Sequence, residues 1–322
     1  MRKEIGISQI ENIMIGQTED VVGGTGCTVF LSRHGMPAGI DVRGGGPASR
    51  ESNLLNPLVS AQYIHGIVLS GGSAYGLDAA GGVMQELEEH GIGYDTGAAL
   101  VPLVCQSCLY DLGVGDPHVR PDRIMGRRAA QIAFAGGNYR DGNYGAGCGA
   151  TVGKIAGLDT CMKSGIGSYA CQIDDLQVGV IVAVNAFGDV FDRDSGRKVA
   201  GLLTPDRQSF MDADEVFMHT TVPVANKFTG NTTLAVIITN ALLNKNDLCR
   251  IASMAHDGFA SAIRPVHTSA DGDTVYAVSV GNLHADQDLI GTLAADNVRK
   301  AILRAVTAAE PAYGHPSASS FM

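Results

Sequence analysis

The stretch Phe228-Thr-Gly-Asn-Thr-Thr-Leu-Ala-Val-Ile-Ile-Thr-Asn240 joins two kinds of local sequence. Gly230-Asn231 is typical of a turn, because glycine has no side chain to clash and asparagine tolerates unusual backbone angles. Residues 232–239 are β-branched or apolar, which is typical of a buried strand. The sequence therefore predicts a turn that runs directly into a core strand, with Thr232 at the junction.

A threonine at such a junction has two interpretations. Its hydroxyl could attack the Asn231 carbonyl and form an ester, whose hydrolysis leaves Thr232 as a new N-terminus with an amine that serves as base for its own hydroxyl. Alternatively, the segment is an ordinary loop and strand. A short motif alone favours this simpler interpretation, so the rest of the chain has to decide between them.

Composition limits the classes of function. The chain has 322 residues, of which 45% are hydrophobic and 17% charged, so it can form a large core in one large or two smaller domains. A net charge of -10 argues against nucleic acid or an anionic membrane surface as a partner. The longest apolar runs, such as residues 178–184, are too short to span a bilayer.

Seven cysteines are present, an odd number, and the N-terminus lacks the apolar core of an export signal. We therefore expect reduced thiols in a cytoplasmic protein. Cys105-Gln-Ser-Cys108 has the spacing of a redox or zinc motif but lacks a second pair. No cluster of His, Cys and carboxylate residues has metal-ligand spacing, so the sequence predicts neither a metal nor another cofactor.

Hydrophobic patterns give a coarse secondary structure. Helices are predicted from about residue 74 to Gly91, over 246–263 and over 290–308, and residues 193–227 are expected to form an exposed linker. Strands are predicted at 27–32, 38–42, 65–72, 100–109, 165–169, 177–185, 190–191, 232–239 and 274–280. Strands and helices occur in separate runs, which indicates an α+β protein with packed sheets and helices outside.

Two glycine-rich segments invite nucleotide or hydrolase interpretations. Residues 145–154 resemble a P-loop, but Cys148 replaces a required glycine and Ile155 replaces the magnesium-binding hydroxyl. As a dinucleotide motif, the same segment lacks a clear preceding strand and a suitably placed acid. Ser73 follows two glycines as in a hydrolase elbow, but Tyr75 occupies the last glycine position of that motif.

Several motifs together resemble the L-aminopeptidase/D-esterase (DmpA) family, which includes β-peptidyl aminopeptidases and endo-type nylon-oligomer hydrolases. The similarity covers nearly the whole chain, with the motifs in the family's order. They are Asp41-Val-Arg-Gly-Gly, Leu69-Ser-Gly-Gly-Ser-Ala-Tyr-Gly-Leu-Asp78, Tyr110-Asp111, residues 149–154, Asn185, Gly230-Asn-Thr-Thr233 and residues 267–273.

The resemblance implies one catalytic domain over residues 1–322, folded as an αββα sandwich like that of ornithine acetyltransferase and of N-terminal-nucleophile hydrolases. It also implies self-cleavage between Asn231 and Thr232, into an α chain of residues 1–231 and a β chain of residues 232–322. Assembly of these α/β units, as tetramers, is a further implication.

Thr232 is the candidate nucleophile, and Asp271 and Asp273 are candidates to orient its hydroxyl and hold a cationic amine. Two acids two residues apart face one side of an extended backbone, and their proximity separates their pKa values. The alternative is a solvated Asp-Gly-Asp turn. Aminopeptidase members of the family differ from Asp-Gly-Asp here, which favours the amide-hydrolase branch.

The other candidates also have ordinary alternatives. Asn185 follows an apolar run, where its amide could donate to an oxyanion or simply cap a turn. Lys154 could lower the pKa of a neighbour or lie on the surface. Tyr110 could bind the oxyanion or substrate, or could belong to the edge of the core. The candidate substrate-binding residues Gly71, Gly72 and Ser73 could instead serve packing.

The expected function is hydrolysis of amide or peptide bonds through an acyl-enzyme on Thr232. The expected substrates are small peptides, amino-acyl amides or amide oligomers. Two alternatives remain open: an acyltransferase that passes the acyl group to an amine, and a non-processing binding protein with the same fold.

Overall fold

A computed structural model of the chain describes residues 1–219 and 230–321. In chain order, the strands are β1 (Lys3–Ile5), β2 (Met14–Asp20), β3 (Thr25–Met36), β4 (Ala38–Val42), β5 (Ala48–Arg50), β6 (Ile64–Ser70), β7 (Tyr94–Asp95), β8 (Leu100–Val101), β9 (Val104–Cys108), β10 (Thr151–Val152), β11 (Met162–Lys163), β12 (Ile166–Ile173), β13 (Leu176–Asn185), β14 (Asp189–Phe191), β15 (Lys198–Ala200), β16 (Thr232–Ala241), β17 (Ile263–Arg264) and β18 (Thr274–Leu283). The helices are α1 (Ala79–Glu89), α2 (Arg123–Phe134), α3 (Ala213–Met218), α4 (Lys245–Ala262) and α5 (Gln287–Thr307). Among the described residues, no helix is both long enough and apolar enough to cross a membrane.

Two sheets carry the fold. The larger has the strand order β1-β12-β13-β16-β18-β4, and the smaller has the order β2-β3-β6-β9-β5. In the larger sheet only β16 and β18 pair in parallel, and in the smaller sheet only β6 and β9 do. Helices α4 and α5 cover the outer face of the larger sheet, while α1 and α2 cover the outer face of the smaller one.

Alternation along β16 shows why the sheets stack. Val236 and Ile238 face the smaller sheet, whereas Ala235 and Ile237 face the two helices. Because side chains alternate between the faces of a strand, an unbroken apolar run fits only a strand buried on both sides. The result is the predicted αββα sandwich, and Thr232 lies on the inner face, in the row of Val236 and Ile238.

The helix predictions for the C-terminal third are confirmed by α4 and α5. The inward positions predicted for these helices are all fully buried: Leu248, Ile251, Ala252, Ala255, Phe259, Ala294, Val298, Ala301 and Ala305. An apolar stripe of helical period is therefore sufficient to orient both helices.

Two element boundaries differ from the prediction. The strand expected over residues 100–109 is divided, because Pro102 lies between β8 and β9 and cannot donate a ladder hydrogen bond. The helix expected from about residue 74 begins as a 3₁₀ turn over Ser73–Asp78, and α1 starts only at Ala79. Gly72 and Ser73 both have positive φ at this entry, which separates the turn from β6.

The exposed linker predicted over residues 193–227 is wrong as far as residue 219. Leu202 and Ala213 in this segment are fully buried. The buried carboxylate of Asp189 holds the segment, because it accepts the N–H of Leu202 at 2.6 Å and that of Ala213 at 3.0 Å and pairs with Lys198. The rest of the predicted linker, residues 220–227, lies outside the described residues.

Candidate active site

The candidate residues meet where three neighbouring strands of the larger sheet begin or end. Thr232 starts β16 and is paired in register with Asn185, the last residue of β13. The loop of residues 267–273 leads into β18, which is on the other side of β16. Strand register thus brings together residues that are far apart in sequence.

The smaller sheet supplies the opposite wall. Ser73 follows β6 and Tyr110 follows β9, and both line a cleft of about 50 Å³ together with Asn231 and Thr232. The other lining residues are Gly46, Ala48, Cys108, Gly230 and Ala270. The candidate nucleophile is therefore at the end of the space between the two sheets.

The Thr232 hydroxyl donates a hydrogen bond to the main-chain carbonyl of Asn231. The same oxygen accepts the main-chain N–H of Gly272 at 3.0 Å. Thr232 is only 4% exposed, so little water competes for these bonds. The predicted scissile carbonyl consequently has the candidate nucleophile and a second hydrogen-bond donor beside it.

Gly272 approaches Thr232 as closely as it does because it has no side chain. A Cβ at this position would be 2.7 Å from the Thr232 Oγ1 and 2.9 Å from the carbonyl oxygen of Gly46. The sequence does not identify Gly272 as a site residue, since nothing in an Asp-Gly-Asp motif shows where the N–H of its glycine points.

The carbonyl one residue upstream, that of Gly230, has its own pair of donors. Lys154 Nζ donates to it, and Asn185 Nδ2 donates to it at 2.9 Å. This arrangement differs from the expectation that the Asn185 amide serves an oxyanion. In the uncut chain it binds the carbonyl next to the predicted scissile one, and Gly272 takes the predicted scissile one.

Lys154 is buried rather than on the surface. Besides the Gly230 carbonyl, its Nζ donates to Asn185 Oδ1 at 2.7 Å and to the Asn185 carbonyl at 3.1 Å. Burial lowers the pKa of Lys154 to about 7. Three acceptors match the three N–H groups of an ammonium, so the protonated form fits this environment.

Asn185 is fixed from both ends of its amide. Its Oδ1 accepts the N–H of Thr151 at 3.0 Å, and its Nδ2 donates to the main-chain carbonyl of Tyr110 at 2.9 Å. Tyr110 therefore contacts the site through its backbone, and its ring lies beside Gly230, where a Cβ would be 3.7 Å from Tyr110 Cδ1.

The carboxylate of Asp273 anchors the start of β16. Its Oδ1 accepts the N–H of Thr233 at 2.8 Å, and its Oδ2 accepts the N–H of His267 at 3.1 Å and contacts His267 Nδ1 at 2.9 Å. In the uncut chain this acid thus acts on Thr232 through the neighbouring residue. In the sequence, His267 stands out only as the first residue of the motif at residues 267–273.

The carboxylate of Asp271 shapes the loop itself. Its Oδ2 accepts from the N–H of Thr268 at 2.9 Å and from the Thr268 hydroxyl at 2.6 Å. Burial, with a smaller contribution from the nearby Asp273 charge, raises the pKa of Asp271 to about 6. The two acids are thus buried and engaged, unlike those of a solvated turn.

Of the candidate substrate-binding residues, only Ser73 lines the cleft. Gly71 and Gly72 pack around the buried Asp111 carboxylate, which accepts the N–H of Gly72 at 2.7 Å. A Cβ on Gly71 would lie 1.8 Å from Asp111 Oδ2. The glycine pair therefore allows a close approach to an acid, which the sequence analysis had quoted only as part of a motif.

A second buried lysine, Lys163, was missed entirely. Its Nζ donates to the carbonyls of Gly147 and Ala150, both at 3.1 Å, and to that of Ser164. Burial lowers its pKa to about 7. It pairs in register with Thr151, the residue that holds Asn185, but no sequence motif surrounds it.

The glycine-rich segment of residues 145–154 has a packing role. A Cβ on Gly149 would lie 2.0 Å from the carbonyl oxygen of Gly24, and Lys154 is engaged by Gly230 and Asn185. These contacts engage the Lys154 ammonium that a phosphate would need, and the close approach of Gly24 accounts for Gly149.

Known proteins resemble this chain over most of its length. The family model described as Peptidase family S58 matches residues 6–319. The chain belongs to peptidase family S58. An uncharacterized aminopeptidase of Mycobacterium leprae is 36% identical to this S58 chain, and the match covers 91% of the chain and 85% of the relative. A 6-aminohexanoate-oligomer endohydrolase of Agromyces sp. is 30% identical, over 91% of this chain and 83% of the relative.

Solved structures show the same fold. The L-aminopeptidase D-Ala-esterase/amidase of Ochrobactrum anthropi, described as a variant of the Ntn hydrolase fold, superposes with a TM-score of 0.67 at 17% identity, over 96% of this chain and 88% of that one. A Burkholderia sp. β-aminopeptidase gives a TM-score of 0.66 at 19% identity, over 94% of this chain and 86% of that one. The predicted resemblance and fold class are confirmed, and S58 membership supports amide-bond hydrolysis as the chemistry of this chain.

Proposed function

We propose that this chain is a self-processing hydrolase with an N-terminal threonine nucleophile, which cleaves amide bonds of small peptides, amino-acyl amides or amide oligomers through an acyl-enzyme. The observation that carries the proposal is the shared acceptor at the predicted cleavage site. The Asn231 carbonyl accepts both the hydroxyl of Thr232 and the N–H of Gly272.

Self-cleavage begins when Thr232 Oγ1 attacks the Asn231 carbonyl carbon. The new C–O bond places a negative charge on the carbonyl oxygen, and the Gly272 N–H stabilises that charge. The C–N bond then breaks, and the Thr232 nitrogen takes up the proton that its own hydroxyl has given up, which leaves an ester. Water hydrolyses the ester, releasing a carboxylate on Asn231 and a free amine and hydroxyl on Thr232.

Turnover repeats this chemistry on a substrate. The Thr232 amine removes the proton of its own hydroxyl, directly or through one water, and the hydroxyl attacks the substrate amide. The protonated Thr232 amine gives this proton to the leaving amine, which departs, and water hydrolyses the acyl-enzyme. Gly272 binds the oxyanion, while Asp273 fixes the strand that carries the nucleophile.

The remaining site residues bind or position the acyl part of the substrate. Lys154 and Asn185 bind the Gly230 carbonyl, and the backbone of Tyr110 fixes the Asn185 amide. Asp271 shapes the loop that presents Gly272. Ser73 lines the cleft in which a substrate would meet Thr232.

The experiment is intact-mass spectrometry on purified protein during prolonged incubation, combined with an amide-hydrolysis assay. We expect masses for residues 1–231 and 232–322, and amidase activity that increases as the full-length mass disappears. Amidase activity in a sample that contains full-length protein and no cleaved chains would overturn the proposal. A non-processing binding protein would stay full-length and inactive. An acyltransferase would be processed but would form more transfer product than acid when an amine acceptor is added.

We extend the proposal to assembly and compartment. Tetramers of α/β units are expected from the family, and side chains such as Val22, Leu58 and Ile124 offer strongly exposed apolar surface. Light scattering at micromolar concentration tests this, since a stable single α/β unit would contradict it. The seven cysteines are all free, which supports the reducing cytoplasm as the compartment.

A further inference from the structure

The uncut chain shows which part of the site receives the acyl group of a substrate; this inference rests on the proposed function. In self-cleavage the Asn231 acyl group becomes an ester on Thr232 Oγ1, next to a free amine of the same residue. The acyl-enzyme formed from a substrate has the same ester and the same amine. Gly230 and Asn231 therefore mark the positions of the two acyl-side units nearest the bond that breaks.

Buried donors converge on the Gly230 carbonyl. Lys154 Nζ and Asn185 Nδ2 both donate to its oxygen, and these two residues are 7% and 0% exposed. Their other bonds are satisfied within the site: Lys154 binds two oxygens of Asn185, and the second Asn185 N–H binds the Tyr110 carbonyl. Each group thus has one N–H left, and both of these N–H groups point at the same acceptor.

A buried donor without an acceptor is costly, so departure of Gly230 leaves a site that favours another acceptor at the same place. The carbonyl carbons of Gly230 and Asn231 are separated by two atoms, the nitrogen and the Cα of Asn231. A second amide carbonyl at that spacing satisfies both donors. A free α-ammonium group is itself a donor and would lie beside the Lys154 ammonium, which repels it.

We propose that the processed enzyme selects substrates in which a second amide carbonyl precedes the scissile one at α-peptide spacing. It therefore cleaves N-acyl-α-aminoacyl amides, that is, internal amide bonds, in preference to amides of amino acids with a free amine. Lys154 and Asn185 are the residues that determine this specificity.

Substrate panels on the processed wild-type enzyme test the proposal directly. The first pair is N-acetyl-asparaginyl p-nitroanilide and asparaginyl p-nitroanilide, because Asn231 occupies this position in the chain and the acetyl carbonyl replaces that of Gly230. The second set varies the spacing: the p-nitroanilides of N-acetyl-glycine, N-acetyl-β-alanine and N-acetyl-6-aminohexanoate. The readout is kcat/KM from release of p-nitroaniline.

We expect kcat/KM to be at least about tenfold higher for the acetylated than for the free-amine asparaginyl substrate, since one acceptor serves two donors of which one is charged. It should also fall as the spacing lengthens from glycine to 6-aminohexanoate. If the Asn185→Ala variant still cleaves itself, its ratio of kcat/KM for the acetylated substrate to kcat/KM for the free-amine substrate should move towards one. If this variant remains uncut, the wild-type panel still decides.

The outcomes separate this inference from the proposed function. A processed enzyme that prefers the free-amine substrate, or that prefers the 6-aminohexanoate spacing, overturns the specificity but leaves the self-processing hydrolase intact. A chain that stays full-length and hydrolyses none of the five substrates overturns both proposals.

Discussion

Thr232 and Gly272 share one acceptor, because the hydroxyl of the first and the main-chain N–H of the second both donate to the carbonyl of Asn231. They are 40 residues apart in sequence: Thr232 starts β16, and Gly272 lies just before β18, the neighbouring strand of the larger sheet. The proposed nucleophile and the proposed oxyanion donor therefore both lie at the predicted cleavage site before any substrate is present, as self-processing of the chain would require.

Substitutions of Thr232 separate the hydroxyl from the methyl group. Thr232→Ala should remain full-length, because it has no nucleophile, whereas Thr232→Ser should still be cut after Asn231. Intact-mass time courses measure both. Cleavage of Thr232→Ala at the same bond would mean that another group performs the attack.

Gly272→Ala should slow self-cleavage by about 100-fold, because small displacements at a reacting centre have effects of this size. The added methyl group would lie 2.7 Å from Thr232 Oγ1 and has to displace it. Gly46→Ala is the matched control, because a Cβ there meets its nearest neighbour, the Asp271 carbonyl oxygen, at 3.8 Å. The control should be processed within about twofold of the wild-type rate. Equal rates for both variants would show that self-cleavage does not require a residue without a side chain at position 272.

The pH dependence of self-cleavage should reveal the charge state of Lys154. Its pKa is lowered to about 7 by burial, so it is an ammonium below that pH and a neutral amine above it. A neutral amine has only two N–H groups for three acceptors, so we expect the rate to decrease as the pH rises above about 7. The full-length chain is the right form to measure, since it lacks the free Thr232 amine.

Lys154→Ala should slow processing by at least about tenfold, and added methylammonium should restore part of the rate, because a small cation can replace the lost side-chain terminus. The highest pH at which an added ammonium ion restores the rate should increase with the pKa of that ion. A wild-type rate that rises through pH 7 would contradict this role and would make the neutral amine the general base.

Asp273→Asn should impair both self-cleavage and substrate hydrolysis, by about tenfold or more, because the acid holds the N–H of Thr233 and the main-chain N–H and Nδ1 of His267. The exposed Asp257 provides the control, since Asp257→Asn leaves the site untouched. Separate measurement of kcat and KM is required. An effect confined to KM would indicate that Asp273 only binds substrate.

Lys163→Met should lower the free energy of unfolding by about 3 kcal/mol, because three buried carbonyls lose their donor. Urea unfolding in a Thr232→Ala background, where the chain stays intact, measures this, and the exposed Lys3→Met should change stability by less than about 0.5 kcal/mol.

The pKa of Lys163 is lowered to about 7, so the folded state binds this proton less tightly than the unfolded state. The stability of the Lys163 protein relative to Lys163→Met should therefore rise between about pH 7 and pH 10. No difference between the two lysine variants would contradict the role of Lys163.

The sequence by itself determined the layers of the fold. The apolar run from Leu234 to Ile238 indicates a strand buried on both faces, and the stripes of α4 and α5 fix which side of each helix meets the sheet. It also identified Asn231-Thr232 as a turn entering a strand. These conclusions depend on local periodicity, which the order of residues displays directly.

Only the tertiary structure decided which atoms meet. Asn185 and Thr232 lie side by side because β13 and β16 pair in one register, and alternation along a strand sets its faces but not its partner's register. The same holds for Gly272 at the Asn231 carbonyl, for Lys154 and Asn185 at the Gly230 carbonyl, and for Lys163 opposite Thr151 in the pairing of β11 with β10. Such contacts join residues that are distant in sequence, and single backbone groups carry much of the chemistry, so no side-chain pattern could have revealed them.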